Sequence, residues 1–220
     1  MAIALPIGID KRFVGTCFIA DEYDGKLLFL TTLHQMGVGK EYIVGLPEHM
    51  GDMNKTQKYP TATVNYIITE LLYTDPILDI AVLISKTKDL KSKIPNFISK
   101  STDIFVGESV IVAGYPYIGL GSMLETAEIC NISAIGQRLF MGLYPVNELV
   151  ISHQTLAGSS GSPVIKRSDG TICGMIRGCL APPEVISIGN MPIGTDSNIT
   201  YVINSCHFKT AIDEAKRRYN

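Results

Sequence analysis

Long apolar runs are missing from this sequence: no stretch reaches the roughly 18 residues that a membrane-spanning helix needs, so no membrane association is expected. Long basic runs are missing too, and the formal net charge is only −2. The densest basic segment, residues 86–93, mixes lysine with polar residues and is typical of a solvated linker, so nucleic acid is not an expected partner. Charged residues are scarce at 18%, whereas 46% of the 220 residues are hydrophobic, which excludes a disordered chain and predicts a folded core.

A signal-peptide pattern is also missing, because residues 1–8 have neither a basic leader nor a long apolar region. We therefore expect a cytoplasmic protein with reduced thiols. The five cysteines are odd in number and irregularly spaced, which favours buried free thiols, although Cys173 and Cys179 are a candidate pair in an oxidising compartment. Those two with Cys206 and His207 match no usual zinc spacing, so neither a metal nor another cofactor is expected.

Helix-forming sequence is scarce before residue 206, and most of the chain consists of short segments rich in Val, Ile, Thr and Tyr. Gly, Pro, Asn and Asp separate these segments, as they do between strands. Many short strands at close spacing predict a sandwich or a barrel. The predicted strands are residues 13–20, 26–32, 41–46, 61–73, 79–84, 108–113, 124–135, 148–153, 163–167, 171–177 and 199–203.

One helix is predicted at residues 206–219, with Ser205 as its N-cap. Its apolar residues fall on one face: Phe208, Ala211, Ile212 and Ala215. The polar segment 86–103 is the expected crossover between two halves of the chain. Residues 49–60 and 181–198 are predicted long loops, which are often functional or mobile.

Residues 158–163, Gly-Ser-Ser-Gly-Ser-Pro, predict a strained turn. Such a turn exposes the hydroxyl of Ser160 and aims neighbouring backbone N–H groups at one point, an arrangement that acyl transfer requires. A plain hairpin loop is the alternative interpretation of the same composition.

A serine nucleophile needs a base and a carboxylate. His34 ends an apolar, β-prone run at residues 27–33, where a rigid strand would hold it still. Asp79 directly precedes another core strand, and a charge in that position is costly unless it has a partner. His153 lies too close to Ser160 in sequence to be the preferred base.

The chain order His34, Asp79, Ser160 resembles that of the chymotrypsin-fold serine peptidases, and the HtrA-like branch is the most similar. The Ser-Pro ending of the serine loop is also similar to that of glutamyl endopeptidases. Six segments in the same order carry the resemblance: residues 15–19, 31–34, 79–83, 107–116, 132–136 and 158–164.

The resemblance implies an all-β fold of two six-stranded antiparallel β-barrels followed by a C-terminal α-helix. The first barrel would comprise residues 1–95 and carry the histidine and aspartate, and residues 96–220 would form the second, with the serine. Together they would make one peptidase domain with its active site in the cleft between the barrels.

The resemblance also implies a role for each residue. Ser160 would attack a polypeptide substrate, His34 would act as base and then acid, and Asp79 would orient His34. The loop formed by Gly158, Ser159 and Ser160 would supply the oxyanion hole, mainly through the amides of Gly158 and Ser160.

The substrate pocket is expected before the nucleophile and on the following strand. Gln154 stands where trypsin-like enzymes carry an acid, so cleavage after Lys or Arg is not favoured; a medium-sized apolar residue is expected instead. Arg177 either attracts an acidic side chain or faces solvent. The complete predicted pocket is His153, Gln154, Thr155, Met175, Ile176, Arg177 and Gly178.

Two alternatives to a free-standing enzyme stay open: a catalytically silent peptide-binding module on the same fold, and a peptidase domain of a larger sensor switched on by a partner. HtrA proteases usually carry a PDZ domain after the peptidase, and none is expected in this sequence. Either the site is built constitutively, or a regulatory protein or a homo-oligomer controls it. An α/β-hydrolase esterase is disfavoured, because that family needs alternating helices and the serine before the histidine.

Overall fold

The computed structural model describes residues 4–37, 39, 41–47, 53–57, 64–88, 103–179, 186–188, 191–193 and 198–219. The predicted boundary at 95/96 lies outside these residues, as do most of the predicted crossover 86–103 and much of the predicted loop 49–60.

Six antiparallel strands close into a first barrel. They are β1 (Ala4–Ile9), β2 (Arg12–Tyr23), β3 (Lys26–Thr32), β4 (Tyr42–Leu46), β5 (Asn65–Asp75) and β6 (Ile80–Ser85), in the closed order β1-β2-β3-β6-β5-β4. Alternate residues of a strand point to opposite faces. Phe29 and Leu83 fill the barrel interior, whereas Leu28 and Val82 pack in a second cluster outside it. Strands β3 and β6 therefore have two buried faces.

A second barrel repeats the architecture. Its strands are β7 (Ser109–Gly114), β8 (Thr126–Phe140), β9 (Tyr144–Ile151), β10 (Pro163–Lys166), β11 (Ile172–Cys179) and, after a short hairpin of β12 (Ile186–Ile188) and β13 (Met191–Ile193), β14 (Thr200–Asn204). The closed order is β10-β11-β14-β9-β8-β7. Its interior is aliphatic, with fully buried Val110, Leu149, Val164 and Val202.

Helix α1 (Phe208–Tyr219) follows the second barrel and packs back on the first. Its buried residues are the four predicted ones, Phe208, Ala211, Ile212 and Ala215. They join a cluster that contains Phe18 and Leu28 of the first barrel and Met175 and Ile203 of the second. The helix thus ties the two barrels into one unit. Within the described part of the chain, no helix is both long and apolar enough to cross a bilayer.

The predicted fold, two six-stranded barrels and a terminal helix, is confirmed. Three details differ. Strand β1 was not predicted, because its proline and glycine interrupt the strand pattern. The hairpin β12–β13 lies inside the segment predicted as a loop, residues 181–198. The predicted N-cap Ser205 is wrong: a 3-10 turn at Ser205–His207 precedes the helix, and the side chain of Asn204 caps that turn by accepting from the Cys206 N–H.

Candidate active site

His34, Asp79 and Ser160 converge at the contact between the two barrels. The imidazole Nε2 of His34 lies 3.0 Å from the hydroxyl oxygen of Ser160, and Nδ1 lies 2.7 Å from Oδ2 of Asp79. The Ser160 hydroxyl has a second acceptor in reach, the carbonyl oxygen of Arg177 at 3.3 Å. The His34 ring is about half exposed at 48%, so a substrate can approach it from solvent.

The histidine is held by the end of its strand. His34 lies in a 3-10 turn, Leu33–Gln35, directly after β3. The neighbouring Gln35 donates through Nε2 to the hydroxyl oxygens of Thr31 (3.0 Å) and Thr32 (2.6 Å). These bonds fold the turn back on the strand and fix the backbone from which the imidazole projects.

The aspartate is held by an unusual backbone conformation. Asp79 has φ of +60°, in the left-handed region that non-glycine residues rarely adopt. Its carbonyl accepts from Leu33 N–H (3.1 Å), and its Oδ1 accepts from the backbone N–H of His34 (2.9 Å). One carboxylate therefore binds both the backbone and the ring of His34. Backbone strain like that of Asp79, with its positive φ, clusters at functional sites.

The serine loop needs glycine at two positions. Gly158 has φ of +109°, and a Cβ there would lie 2.4 Å from the carbonyl oxygen of Tyr115. Gly161 has φ of +82°, and a Cβ there would lie 2.0 Å from the carbonyl oxygen of Thr16. Only glycine lets the loop turn this tightly against the neighbouring backbone.

Two amides of this loop are available to a ligand. Among the described residues, no acceptor binds the N–H of Gly158 or of Ser160. Ser159 is a correction to the predicted oxyanion set, because its N–H already donates to the carbonyl of Leu156 at 3.0 Å. The side chain of Ser159 is buried and accepts from the Leu156 N–H. It shapes the loop instead of facing a substrate.

Two predicted pocket residues have no solvent exposure. Met175 and Ile176 pack into two different hydrophobic clusters on the opposite faces of β11. Their side chains therefore do not face a pocket that is open to solvent. Sequence periodicity could not reveal this, since both faces of the strand are buried.

The remaining predicted pocket residues differ in exposure. Gln154 is exposed, and Gly178 is half-buried. Thr155 is buried, and its hydroxyl is hydrogen-bonded to that of Thr200, which donates to the carbonyl of His153 at 2.6 Å. Position 154, where an acidic side chain would favour lysine or arginine, carries the uncharged Gln154, as the sequence indicated.

Arg177 belongs to a charge cluster that the sequence did not reveal. One of its guanidinium nitrogens lies 3.3 Å from Oε1 of Glu148, which is only 6% exposed. Arg138 also donates to Oε1 of Glu148, at 2.8 Å, and a second nitrogen of Arg138 donates to the carbonyl of Ile77 at 3.1 Å. The cluster therefore reaches from the second barrel to the turn that carries Asp79.

His153 is buried, and its Nδ1 lies 3.4 Å from a carboxylate oxygen of Glu128. Burial lowers the pKa of His153 below the ordinary imidazole value, and Glu128 opposes that change.

The lowered pKa of His153 makes stability depend on pH. When the pH falls through about 6.5, the imidazole of His153 takes up a proton in the unfolded chain before it does so in the folded protein. We therefore expect the free energy of unfolding to fall as the pH drops below about 7. Urea unfolding at a series of pH values measures this, and His153→Gln should flatten the dependence. An unchanged slope in that variant would contradict it.

Burial disfavours Cys130 and Cys173 as alternative nucleophiles. All five are free thiols, and Cys173 and Cys179 are not joined. Burial raises the pKa of Cys130 to about 11 and that of Cys173 to about 12, which disfavours the reactive thiolate. The described residues contain no cluster of three or more His, Cys, Asp or Glu side chains that could hold a metal.

Comparisons with known proteins show the family and the fold of the chain. A family profile for the trypsin-like peptidase domain matches residues 15–175. No curated protein sequence gives a significant match.

Several solved structures have a similar fold. The HtrA-type protease AlgW with decapeptide is 22% identical over 94% of this chain and 52% of its own, with a TM-score of 0.61. The Rv3671c protease of M. tuberculosis, in an inactive form, is 17% identical over 97% of this chain and 88% of its own, with a TM-score of 0.65. The serine endoprotease from Yersinia pestis is 18% identical over 99% of this chain and 64% of its own, with a TM-score of 0.64.

The structural likenesses show the fold alone, and this chain spans about half the length of AlgW. The family profile goes further, because it covers most of the chain, including the segments of His34, Asp79 and Ser160. The chain therefore belongs to the family of trypsin-like peptidase domains.

Proposed function

We propose that this domain hydrolyses polypeptides with Ser160 as nucleophile, His34 as general base and acid, and Asp79 as the group that orients His34. The observation that carries the proposal is the continuous hydrogen-bonded path from Asp79 through His34 to Ser160, with distances of 2.7 and 3.0 Å. These distances lie within the range in which a base can take a hydroxyl proton.

In the proposed acylation step, Oγ of Ser160 bonds to the scissile carbonyl carbon while its proton passes to Nε2 of His34. The tetrahedral intermediate then collapses, the C–N bond breaks, and His34 gives the proton to the leaving amine. Water attacks the acyl-enzyme by the same proton route, which releases the acid product and restores the Ser160 hydroxyl. Asp79 stays ionised and stabilises the imidazolium.

The free amides of Gly158 and Ser160 are the proposed oxyanion donors. Each donor of this kind is typically worth about 3 kcal/mol of transition-state stabilisation. The left-handed conformation of Gly158 supports this role, because it turns the loop so that these N–H groups have no acceptor among the described residues.

The proposed substrate residue at the cleaved bond is uncharged. Gln154 and Thr155 offer no countercharge to lysine or arginine, and the guanidinium of Arg177 is directed to Glu148. Because Met175 and Ile176 are buried in the cores, they lend no support to a specifically apolar preference.

A fluorophosphonate probe tests the function, since it reacts with an activated serine. We expect stoichiometric labelling of Ser160 in the wild type and none in Ser160→Ala. The matched control is Ser168→Ala, which removes an exposed serine hydroxyl bonded to Glu108 and should label normally. Casein turnover and a peptide-library profile measured on the same proteins should show cleavage that depends on Ser160.

Full labelling of Ser160→Ala would contradict the nucleophile. Peptide binding without labelling or turnover in the wild type would favour the silent module. A library profile dominated by lysine or arginine at the cleaved position would contradict the proposed specificity alone.

A further inference from the structure

Thr16 in strand β2 belongs to the first barrel, yet it touches the serine loop of the second. Its N–H donates to the carbonyl of Ser160 (3.2 Å), and its hydroxyl donates to the carbonyl of Gly158 (2.8 Å). The same hydroxyl oxygen accepts from the N–H of Tyr115 at 3.0 Å. Thr16 has no solvent exposure, so these bonds form without competition from water.

The two carbonyls that Thr16 binds belong to peptide groups that are also held at their other ends. The peptide after Gly158 has its N–H, that of Ser159, bonded to Leu156 at 3.0 Å. The peptide after Ser160 has its N–H, that of Gly161, bonded to the carbonyl of Ile176 at 2.9 Å. Neither peptide plane can rotate without breaking two hydrogen bonds, one of them to Thr16.

The peptide between these two is also fixed. The carbonyl of Ser159 accepts from the N–H of Ser162 at 3.0 Å, so the opposite end of the same plane, the N–H of Ser160, is left pointing away from the loop. A glycine such as Gly158 readily adopts other backbone angles, and a rotation of the peptide after it would move its carbonyl and the N–H of Ser159, and so change the turn from which the N–H of Ser160 projects. The hydroxyl of Thr16 opposes that rotation directly.

Thr16 is in turn connected to the histidine strand. The hydroxyl of Thr31 donates to the carbonyl of Thr16 at 2.7 Å, and Gln35, next to His34, donates to the hydroxyl of Thr31 at 3.0 Å. One path of hydrogen bonds therefore links the segment that carries the base to the segment that carries the nucleophile.

We propose that Thr16 is a positioning residue of the active site, which holds the serine loop in the conformation that leaves the amides of Gly158 and Ser160 free for the oxyanion. The inference rests on the proposed function, because it requires the amides of Gly158 and Ser160 to act as oxyanion donors. Thr16 itself touches neither substrate nor reacting atoms.

Thr16→Val tests this, since valine has nearly the same shape and lacks the hydroxyl. We expect kcat to fall about 10- to 100-fold on a peptide from the library, with KM changed by less than about threefold, because a misplaced oxyanion donor affects the transition state more than the ground state. Thr16→Ser keeps the hydroxyl and should retain at least about half of the wild-type kcat.

The matched control is Thr69→Val. Thr69 is also buried in the first barrel, and its hydroxyl donates to a backbone carbonyl, that of Tyr42, at 3.1 Å, far in sequence from the serine loop. This variant should lose a similar amount of thermal stability with an unchanged kcat. For each variant, kcat is calculated per mole of protein that reacts with the fluorophosphonate, so that unfolded protein does not lower the value.

An unchanged kcat in Thr16→Val would overturn the inference. An equal loss in Thr16→Ser and Thr16→Val would also overturn it, because serine keeps the hydroxyl, and the loss would then not depend on that group. This comparison holds even if the valine variant folds poorly. Failure of the proposed function gives a different result, namely no Ser160-dependent turnover in the wild type.

Discussion

Asp79→Asn is expected to lower kcat by about 10⁴-fold while the fold is preserved. The asparagine Oδ1 can still accept from the backbone N–H of His34, as Oδ1 of Asp79 does. Its amide nitrogen would then face Nδ1 of His34, where Oδ2 of Asp79 now lies at 2.7 Å. An NH₂ group there needs an unprotonated Nδ1, which places the ring proton on Nε2. His34 in that tautomer cannot take the proton of Ser160.

Steady-state kinetics on casein or a library peptide measure this loss. Asp75→Asn is the matched control: Asp75 ends β5, directly before the turn that carries Asp79, and its Oδ1 accepts from the N–H groups of Ile77 and Leu78. An asparagine can keep both bonds, so we expect less than about a threefold change in kcat. Retention of kcat within about tenfold in Asp79→Asn would exclude Asp79 as the orienting carboxylate.

Glu148→Ala is expected to lower the free energy of unfolding by about 3 kcal/mol, a larger loss than in the other variants. Glu148 is nearly buried between Arg138 and Arg177, and its removal leaves two guanidinium groups without their shared carboxylate. Both arginines are about a quarter exposed, at 28% and 25%, so hydration limits the penalty. For a domain of this size the melting temperature should fall by about 6–12 °C.

Calorimetry measures that change, and Glu148→Gln should recover much of it because the amide oxygen can still accept from Arg138. The control is Glu214→Gln, which removes the charge of a surface pair between Glu214 and Arg217 on α1. Water and salt screen an exposed pair of this kind, so little change is expected there. Equal changes of melting temperature in Glu148→Ala and Glu214→Gln would show that the Glu148 cluster stabilises the fold no more than a surface ion pair does.

Sequence reasoning found His34, Asp79 and Ser160 because each one interrupts a local pattern. A polar residue directly beside a core strand, or a serine between glycines, stands out in a window of a few residues. The same signals placed most strands and the apolar face of α1, since alternation and helical periodicity are properties of neighbouring residues.

The errors and omissions concern partners that are distant in sequence. Thr16 reads as an ordinary strand threonine, because its acceptors at positions 158 and 160 become neighbours only when the barrels meet. Glu148 and Arg138 likewise read as surface charges of a hairpin. Met175 and Ile176 are assigned to the pocket because they lie on the strand after the nucleophile, and alternation does not reveal that both faces of β11 are covered.

The packing of α1 bears on how the molecule folds. The outer layer of the first barrel, around Phe18 and Leu28, is covered by Phe208 and Ile212, which are nearly two hundred residues away in the chain. During synthesis the histidine and aspartate emerge long before this cover does. The barrel that carries them keeps part of its outer hydrophobic layer uncovered until the helix docks, so its packing depends on a segment that is synthesised much later.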